Sequence, residues 1–311
     1  MAANASTPAG RAERTLARFK SPVLALTLAA LFWSGNFIVG RALRGHIDPI
    51  TLNFTRWLIA LILFAPLIWG ETWRSIAVVR REWLYIFGLG ATGIAAFHTM
   101  TYLALQTTTA TNALLVLSFG PIAILAAAAI TGVERPNRNQ IAGMLVSVAG
   151  AIVLVTRGNL QIIHNGMSNA GDLWILAAVA IWAVYSLLVR RRPADLPPNV
   201  ALGASMAAGV VLMFPFLIFG TAHEVSAFAS LPLLLGLGYI AVFASILAFL
   251  FWSFGVARLG ASRSGQFLNL MPVFGVILAF TFLGETPGPA QVFGAVLVVT
   301  GILLVERARA S

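Results

Sequence analysis

Two stretches of the chain repeat one another, and their spacing decides the fold. Residues 119–150 read FGPIAILAAAAITGVERPNRNQIAGMLVSVAG, and residues 270–301 read LMPVFGVILAFTFLGETPGPAQVFGAVLVVTG. The residues that recur 151 positions later are Pro121, Glu134, Gln140, Gly143 and Gly150, which return as Pro272, Glu285, Gln291, Gly294 and Gly301. Identities at one constant offset over a stretch of this length indicate an internal duplication.

The duplication extends upstream of these stretches. Residues 88–90 (GLG) match residues 236–238 (GLG) at an offset of 148, and Trp33 matches Trp182 at an offset of 149. Small insertions or deletions explain the drift of the offset. The chain therefore divides into a basic N-terminal tail, a first repeat and a second repeat, at residues 1–21, 22–156 and 172–306.

Composition predicts a membrane protein. The chain is 59% hydrophobic and 10% charged, with a mean hydropathy of +0.90, whereas a soluble domain carries about 25% charged residues. Apolar runs long enough to cross the hydrocarbon as helices lie at 22–42, 49–69, 83–105, 109–131, 138–156, 172–190, 199–219, 231–254, 262–284 and 288–305. The expected fold is all-α, with ten transmembrane helices.

Basic residues predict the orientation of these helices. With the N-terminus in the cytoplasm, 16 of the 20 Lys and Arg residues lie on the cytoplasmic side, Arg56 lies within a span, and Arg41, Arg44 and Arg157 lie outside. This bias predicts a multi-pass protein of a bacterial inner membrane with both termini in the cytoplasm. The first run lacks a clear small-residue cleavage site, which favours a retained helix over a removed signal peptide.

Five helices in each repeat make the repeats inverted. An odd number of crossings forces the second repeat to enter the membrane upside down relative to the first. Inverted repeats are typical of carriers, because one packing solution in two opposite orientations gives outward-open and inward-open states of similar energy. A duplication retained only for the stability of the fold is the alternative.

Short motifs then follow one another in a fixed order. They are Trp33-Ser34-Gly35-Asn36-Phe37, Pro49 with Arg56, Gly132 to Pro136, Gly171-Asp172-Leu173, Trp182-Ala183-Val184-Tyr185 and Gly284-Glu285. In order and spacing these motifs resemble the drug/metabolite transporter superfamily, specifically its EamA-type members. The resemblance implies two inverted five-helix repeats around a central cavity and the export of amino acids, aromatic or otherwise neutral, or of other small metabolites. Within the family the chain looks most like the YddG-type amino-acid exporters.

Polar and aromatic side chains within the spans are the candidates for lining that cavity. They are Trp33, Asn36, His98, Tyr102, Trp182, Tyr185 and Trp252. Aromatic rings with polar tips suit a loosely selective site, because they offer apolar area and a few hydrogen bonds. Structural roles stay open: Asn36 can join two helices, His98 can bond a backbone carbonyl, and one or two of the aromatic rings can be interfacial-belt or packing residues.

Two prolines at equivalent repeat positions predict helix breaks. Ser118 precedes Pro121 by three residues, as Asn269 precedes Pro272. A proline frees a backbone carbonyl one turn back, so each site can form a hinge or bind an ammonium group. A packing kink with the side chain satisfied in its own helix is the alternative.

The remaining charged residues near the spans favour structural roles. For Arg56 we favour a structural partner such as a helix C-terminus, with a substrate carboxylate as the alternative. Glu134, Glu285 and Asp172 sit at predicted helix ends, where Asp172 suits an N-cap or a first turn. Since no carboxylate is predicted at mid-membrane, His98 is the only candidate for proton coupling, and facilitated export is the expected mechanism.

Other functions are less compatible with the sequence. Gly260-Ala261-Ser262 resembles the Gly-x-Ser of membrane serine proteases, but Ser262 is predicted at the cytoplasmic start of a helix and His98 toward the outer side, too far apart for a dyad. An ion channel would need rings of charge or a carbonyl filter. The four scattered histidines form no metal motif, and the chain has no cysteine. We therefore expect no catalytic site, metal or cofactor, but a monomer in membrane lipid with a small-molecule substrate and no nucleic-acid partner.

Overall fold

The computed structural model describes residues 21–43, 47–108, 110–159, 161, 170–219, 231–283 and 286–307. Within these ranges the regular structure is helical throughout, without strands. Nine helices of the described residues are long and apolar enough to cross a membrane. Residues 261–283 form a further crossing, which a short 3-10 turn interrupts. The predicted all-α membrane fold is confirmed, while residues 1–20, His46, His164, His223 and Glu285 lie outside the described ranges.

Ten spans, numbered here in chain order, make up the two repeats. Spans 1 to 5 are Pro22–Ala42, Pro49–Arg74, Trp83–Thr107, 110–130 and Arg138–Thr156. Spans 6 to 10 are Ala170–Arg190, Pro198–Phe219, Leu231–Leu259, 261–283 and Pro289–Arg307. A short helix, Ile76–Arg81, lies between spans 2 and 3. The largest differences from the predicted runs are at the ends of spans 2 and 8, which continue to Arg74 and Leu259.

Local sequence explains where several spans begin. Pro49 occupies the first turn of span 2, where its missing N–H is harmless, and Asp48 Oδ2 accepts hydrogen bonds from the backbone N–H of Ile50 and Thr51, both at 3.0 Å. Span 5 begins with a reciprocal capping box, in which Asn137 and Gln140 each accept from the other's backbone N–H. These caps satisfy backbone donors that a helix end leaves without partners.

Spans 3 and 8 each contain a π-helical stretch, Gly90–Ala96 and Ile240–Leu247. Such stretches disturb the regular ladder of backbone hydrogen bonds, so displaced carbonyls need other donors. In span 3 the donor is Asn53 of span 2, whose Nδ2 lies 3.2 Å from the Ile94 carbonyl oxygen and 3.3 Å from that of Ala95. Span 8 has an equivalent arrangement, described below with the cavity.

The crossing of spans 5 and 10 shows that the repeats are inverted. A Cβ atom added to Gly143 would lie 2.8 Å from the Gly301 carbonyl oxygen, and one added to Gly150 would lie 2.7 Å from that of Gly294. Gly143 and Gly150 are the repeat equivalents of Gly294 and Gly301. Each contact thus joins the beginning of one equivalent helix to the end of the other, so the two helices run in opposite directions.

The other helix contacts obey the same two-fold relation. Span 1 packs against spans 8 and 9, as span 6 packs against spans 3 and 4. Span 2 packs against spans 7 and 8, as span 7 packs against spans 2 and 3. Each repeat therefore packs its first two helices against the other repeat, and the centre of the bundle is enclosed by both.

Candidate substrate cavity

A cavity lies between the repeats, among spans 1, 3, 4, 6 and 9. Its volume is about 60 Å³. The residues that line it are Trp33, Asn36, Phe37, Gly40, Phe97, His98, Thr101, Tyr102, Leu105, Leu114, Leu117, Ser118, Gly120, Val179, Trp182, Leu268, Met271 and Pro272. Span 1 contributes its C-terminal half, and span 6 contributes Val179 and Trp182 near its middle. The cavity therefore occupies one half of the bundle, near the end of span 1.

Equivalent tryptophans of the two repeats form its aromatic wall. The ring centroids of Trp33 and Trp182 lie 5.3 Å apart in an edge-to-face arrangement, and Phe97 lies 4.7 Å from Trp182. Trp33 is fixed by a hydrogen bond of 3.0 Å from its Nε1 to the carbonyl oxygen of Ala244, in the π-helical stretch of span 8. Trp182 Nε1 is buried and has no hydrogen-bond partner among the described residues, which leaves an unused donor in the wall.

Asn36 and Tyr102 form a polar corner of the cavity, where the Tyr102 hydroxyl lies 3.4 Å from Asn36 Oδ1. Behind them lies Arg56 of span 2, which has no solvent-exposed surface. Its Nη1 donates to the Tyr102 hydroxyl at 2.8 Å and to Asn36 Oδ1 at 3.3 Å. Asn36 thus joins spans 1, 2 and 3 while also lining the cavity, so both roles foreseen for it are compatible with the geometry.

His98 lies between the aromatic wall and the polar corner. Its ring centroid is 5.0 Å from that of Phe97 and 5.8 Å from that of Trp57. The side chain is 4% exposed and lines the cavity. Its imidazole also interacts with the backbone of Gly93 in the π-helical stretch of its own span, so the structural role kept open for it is compatible with its place in the lining.

Tyr185 and Trp252 pack behind the aromatic wall and do not line the cavity. Tyr185 lies 5.0 Å from Trp182, and Trp252 lies 5.6 Å from Trp33 and 5.5 Å from Trp182 between ring centroids. These two predicted lining residues are therefore packing residues, deeper in the bundle and toward the end of span 6. All five predicted aromatic residues are buried.

The helix breaks of spans 4 and 9 occur at equivalent places. Span 4 consists of Ala110–Leu117 and Gly120–Ile130, and span 9 of Ala261–Gly265, a 3-10 turn at Gln266–Asn269 and Leu270–Leu283.

Only two of the four residues predicted at these breaks line the cavity, namely Ser118 and Pro272. Ser118 Oγ donates to the Leu114 carbonyl oxygen of its own helix at 2.8 Å. Asn269 points away and donates to Ser147 Oγ of span 5 at 3.0 Å, while Pro121 begins the second part of span 4 and packs beside Gly265.

Acidic residues at helix ends connect the repeats at both ends of the bundle, Glu134 at the end opposite the cavity and Asp172 at the other. Glu134 accepts hydrogen bonds from the backbone N–H of Ala261 at 2.6 Å and of Ser262 at 3.0 Å, and so caps span 9. Its Oε1 also lies 3.6 Å from Arg190 Nε at the end of span 6. Asp172 lies in the first turn of span 6, as predicted, and accepts from the Thr108 hydroxyl.

No hydrolytic or metal site is assembled in the part of the chain that the structure describes. Ser262 Oγ, at the start of span 9, has no hydrogen-bond partner there, while His98 lies in the cavity in the other half of the bundle. Groups of His, Asp and Glu with the geometry of a metal site are also absent from the described residues.

The main residue missing from the predicted site is Arg56. Its signal was a charge in the middle of an apolar span without a nearby charged neighbour in sequence. We favoured a structural partner such as a helix C-terminus; in the structure the guanidinium contacts Asn36, Tyr102 and the π-helical stretch of span 8.

Comparison with known proteins identifies the family. A model of the EamA-like transporter family matches the chain twice, at residues 20–156 and 169–307. The chain belongs to the EamA-like transporter family. It is therefore a multi-pass membrane transporter, as the motifs of the two repeats suggested.

Several curated relatives of this EamA-like transporter match it over nearly their full length. A protein of Archaeoglobus fulgidus named as an uncharacterized transporter is 27% identical over 90% of this chain and 96% of its own. A probable terminal-alkyne amino-acid exporter of Streptantibioticus cattleyicolor is 29% identical, over 93% and 95%. A probable amino-acid metabolite efflux pump of Salmonella typhimurium is 27% identical, over 92% and 94%. A crystal structure that is 24% identical shares the fold, with a TM-score of 0.75 over 93% of this chain and 98% of that one.

Proposed function

We propose that this EamA-like transporter exports amino acids, aromatic or otherwise neutral, or similar small metabolites through the cavity between its repeats. The observation that carries the proposal is the pairing of an aromatic wall, Trp33 and Trp182, with a polar corner, Asn36 and Tyr102, in one cavity. An amino acid has the matching parts, since its side chain can bury apolar area while its backbone groups form hydrogen bonds.

The names of two relatives support this substrate class. One is a probable terminal-alkyne amino-acid exporter and the other a probable amino-acid metabolite efflux pump. Both are far from identical to this chain, so they support the class of substrate and not a particular amino acid. Another metabolite or a drug-like compound is the alternative, which the largely apolar lining favours.

The proposed mechanism is alternating access. The cavity occupies the half of the bundle near the end of span 1, whereas Glu134 and Arg190 connect the repeats at the other end. With both termini in the cytoplasm of a bacterium, this arrangement corresponds to a carrier of the inner membrane that faces outward. Exchange of roles between the inverted repeats would open the same cavity inward, with the breaks of spans 4 and 9 as hinges.

The lining favours facilitated export over proton coupling. Carboxylates are absent from the cavity lining in the described part of the chain, and His98 is the one histidine among the lining residues. Export then follows the concentration gradient of the substrate.

Transport by the purified protein in liposomes tests the proposal. Labelled amino acids are offered with and without a pH gradient, and we expect saturable uptake of at least one neutral amino acid in both conditions. Trp182→Ala and His98→Ala should each lower this flux roughly tenfold without loss of folded yield, because each removes part of the lining.

Trp69→Ala is the matched control for the tryptophan variant, since Trp69 is 66% exposed on the outside of the bundle. Its flux should equal that of the unmodified protein. Unchanged saturable flux in both cavity variants would disprove the assignment of the site, and saturable flux of a different compound class alone would favour the alternative substrate.

A further inference from the structure

Arg56 is a buried cation whose partners are all neutral. Its Nε and Nη2 donate to Ser245 Oγ at 3.0 and 2.8 Å, and its remaining hydrogen bonds go to Tyr102, Asn36 and the Ala244 carbonyl oxygen. The guanidinium carbon also lies 5.3 Å from the centroid of the Trp57 ring, a cation–π contact with another neutral partner. Among the described residues, no carboxylate lies within salt-bridge distance of the guanidinium, although the side chain has no exposed surface. Burial of a charge without a counter-charge is expensive, and it points to a function.

Structural support of span 8 does not require this charge. Arg56 does satisfy the displaced Ala244 carbonyl oxygen in the π-helical stretch of that span. In the other repeat, however, Asn53 performs the same task on the π-helical stretch of span 3 with an uncharged amide. Both donors belong to span 2 and lie less than one turn apart. Because the uncharged Asn53 binds the carbonyls of its π-helical stretch, the hydrogen bond to Ala244 does not by itself explain why residue 56 is charged.

The positive charge acts on the cavity through its polar corner. Both residues that separate Arg56 from the cavity, Asn36 and Tyr102, accept its hydrogen bonds and line the empty space. A group bound to the Tyr102 hydroxyl would lie about 6 Å from the guanidinium, the sum of two hydrogen-bond lengths. At an effective dielectric constant of about 20, unit charges at that distance still interact strongly.

We propose that Arg56 makes the cavity selective for substrates that carry an anionic group, such as an amino-acid carboxylate, and excludes amines that lack one. The anionic group binds at the corner of Asn36 and Tyr102, and the apolar part of the substrate packs against Trp33 and Trp182. Arg56 is a positioning residue, because it acts through the corner without touching the substrate. The inference rests on the proposed function, since it names the group that the same cavity recognises.

Matched pairs of acids and amides test the selectivity. Purified full-length protein is mixed with phenylalanine or leucine, or with the corresponding amide at a pH where its amino group is protonated, and binding is measured from the rise in unfolding temperature with ligand concentration. We expect the acid to bind roughly tenfold or more tightly than its amide. Equal binding of acids and amides would overturn this inference alone, whereas the absence of binding by any acid would overturn the proposed function as well.

Two substitutions of Arg56 separate charge from geometry. Arg56→Lys retains the charge but loses the planar fork, and Arg56→Gln retains hydrogen-bonding capacity but loses the charge. We expect the acid-to-amide ratio to persist in Arg56→Lys and to fall toward one in Arg56→Gln. Loss of the ratio in both variants, or its persistence in Arg56→Gln, would contradict a role for the charge.

Two further variants keep the test decisive. Asn53→Ser removes an equally buried amide from the same helix without changing charge, so it should lower stability and leave the acid-to-amide ratio unchanged. Should Arg56→Gln fail to fold, Tyr102→Phe replaces it: removal of the hydroxyl should weaken binding of the acid several-fold and leave binding of the amide unchanged. An equal loss for both ligands would refute the proposed corner.

Discussion

At the scale of residues, Glu134 shows how one side chain can connect the two repeats. Glu134 lies in the loop after span 4, yet its carboxylate caps the helix that begins at Ala261 and approaches Arg190. The hydrogen bonds of an anionic acceptor to backbone N–H groups at a helix start are stronger than those of a neutral one. The contact therefore holds together the end of the bundle where the cavity is closed off.

Loss of this cap should destabilise the fold measurably. Glu134→Ala leaves two backbone donors of span 9 without acceptors, so we expect a loss of about 1 to 2 kcal/mol. Glu82→Ala is the control, because Glu82 pairs with the exposed Arg81, and such surface pairs contribute about 0 to 1 kcal/mol. Thermal unfolding of the detergent-solubilised proteins measures the difference. Equal unfolding temperatures for the two variants would contradict the capping role.

At the scale of elements, the closest helix contact is the crossing of spans 5 and 10. A Cβ added to Gly294 would lie 2.6 Å from the backbone nitrogen of Leu154 and 2.7 Å from the carbonyl oxygen of Gly150. Real Cβ atoms do not approach a backbone so closely, so the helices must separate if the glycine is replaced. Small residues permit this contact. In lipid the association of helices is driven by such close packing, because the lipid tails are as apolar as the side chains and burial gives no advantage.

Gly294→Ala should therefore lower stability, although alanine is the better helix former by about 1 kcal/mol. Gly275→Ala is the matched control in span 9, since a Cβ there meets no described atom within 4 Å. We expect Gly294→Ala to reduce the unfolding temperature and the folded yield, and Gly275→Ala to retain or raise both. A stabilising effect of Gly294→Ala would show that the helices do not touch at this crossing.

Five of the seven residues predicted to line the cavity do so in the structure, and hydropathy with the repeat offset located the spans that carry them. The five are Trp33, Asn36, His98, Tyr102 and Trp182. The other two, Tyr185 and Trp252, pack against Trp182 from behind. Sequence periodicity places a ring on the buried face of its helix, but it does not distinguish a residue that lines a cavity from one packed behind the lining.

The partners of Arg56 escaped prediction for a different reason. Its contacts with Asn36, Tyr102 and Ser245 join residues that are far apart in the chain, from spans 1, 3 and 8. Sequence periodicity reports which face of a helix is apolar, but it does not report which helix lies against that face. The pairing of spans follows from the two-fold packing, which the sequence suggested only as an inversion of the repeats.

At the scale of the whole molecule, the inverted repeats enclose one cavity that either repeat can expose. Equivalent helices cross in opposite directions, equivalent tryptophans meet edge to face, and the spans pack in pairs related by the same two-fold axis. When the two repeats exchange their conformations, the same cavity opens to the other side of the membrane, and no second site is needed.

The accessibility of a single thiol in the cavity tests alternating access most directly. The chain has no cysteine, so Ser118→Cys provides the only thiol, and Ser118 lines the cavity. A small, charged, membrane-impermeant thiol reagent is applied to the outside of right-side-out vesicles and, separately, to inside-out vesicles. Alternating access predicts modification from either side, with protection by a bound substrate in both cases. Modification from one side only, whatever substrate is present, would contradict it.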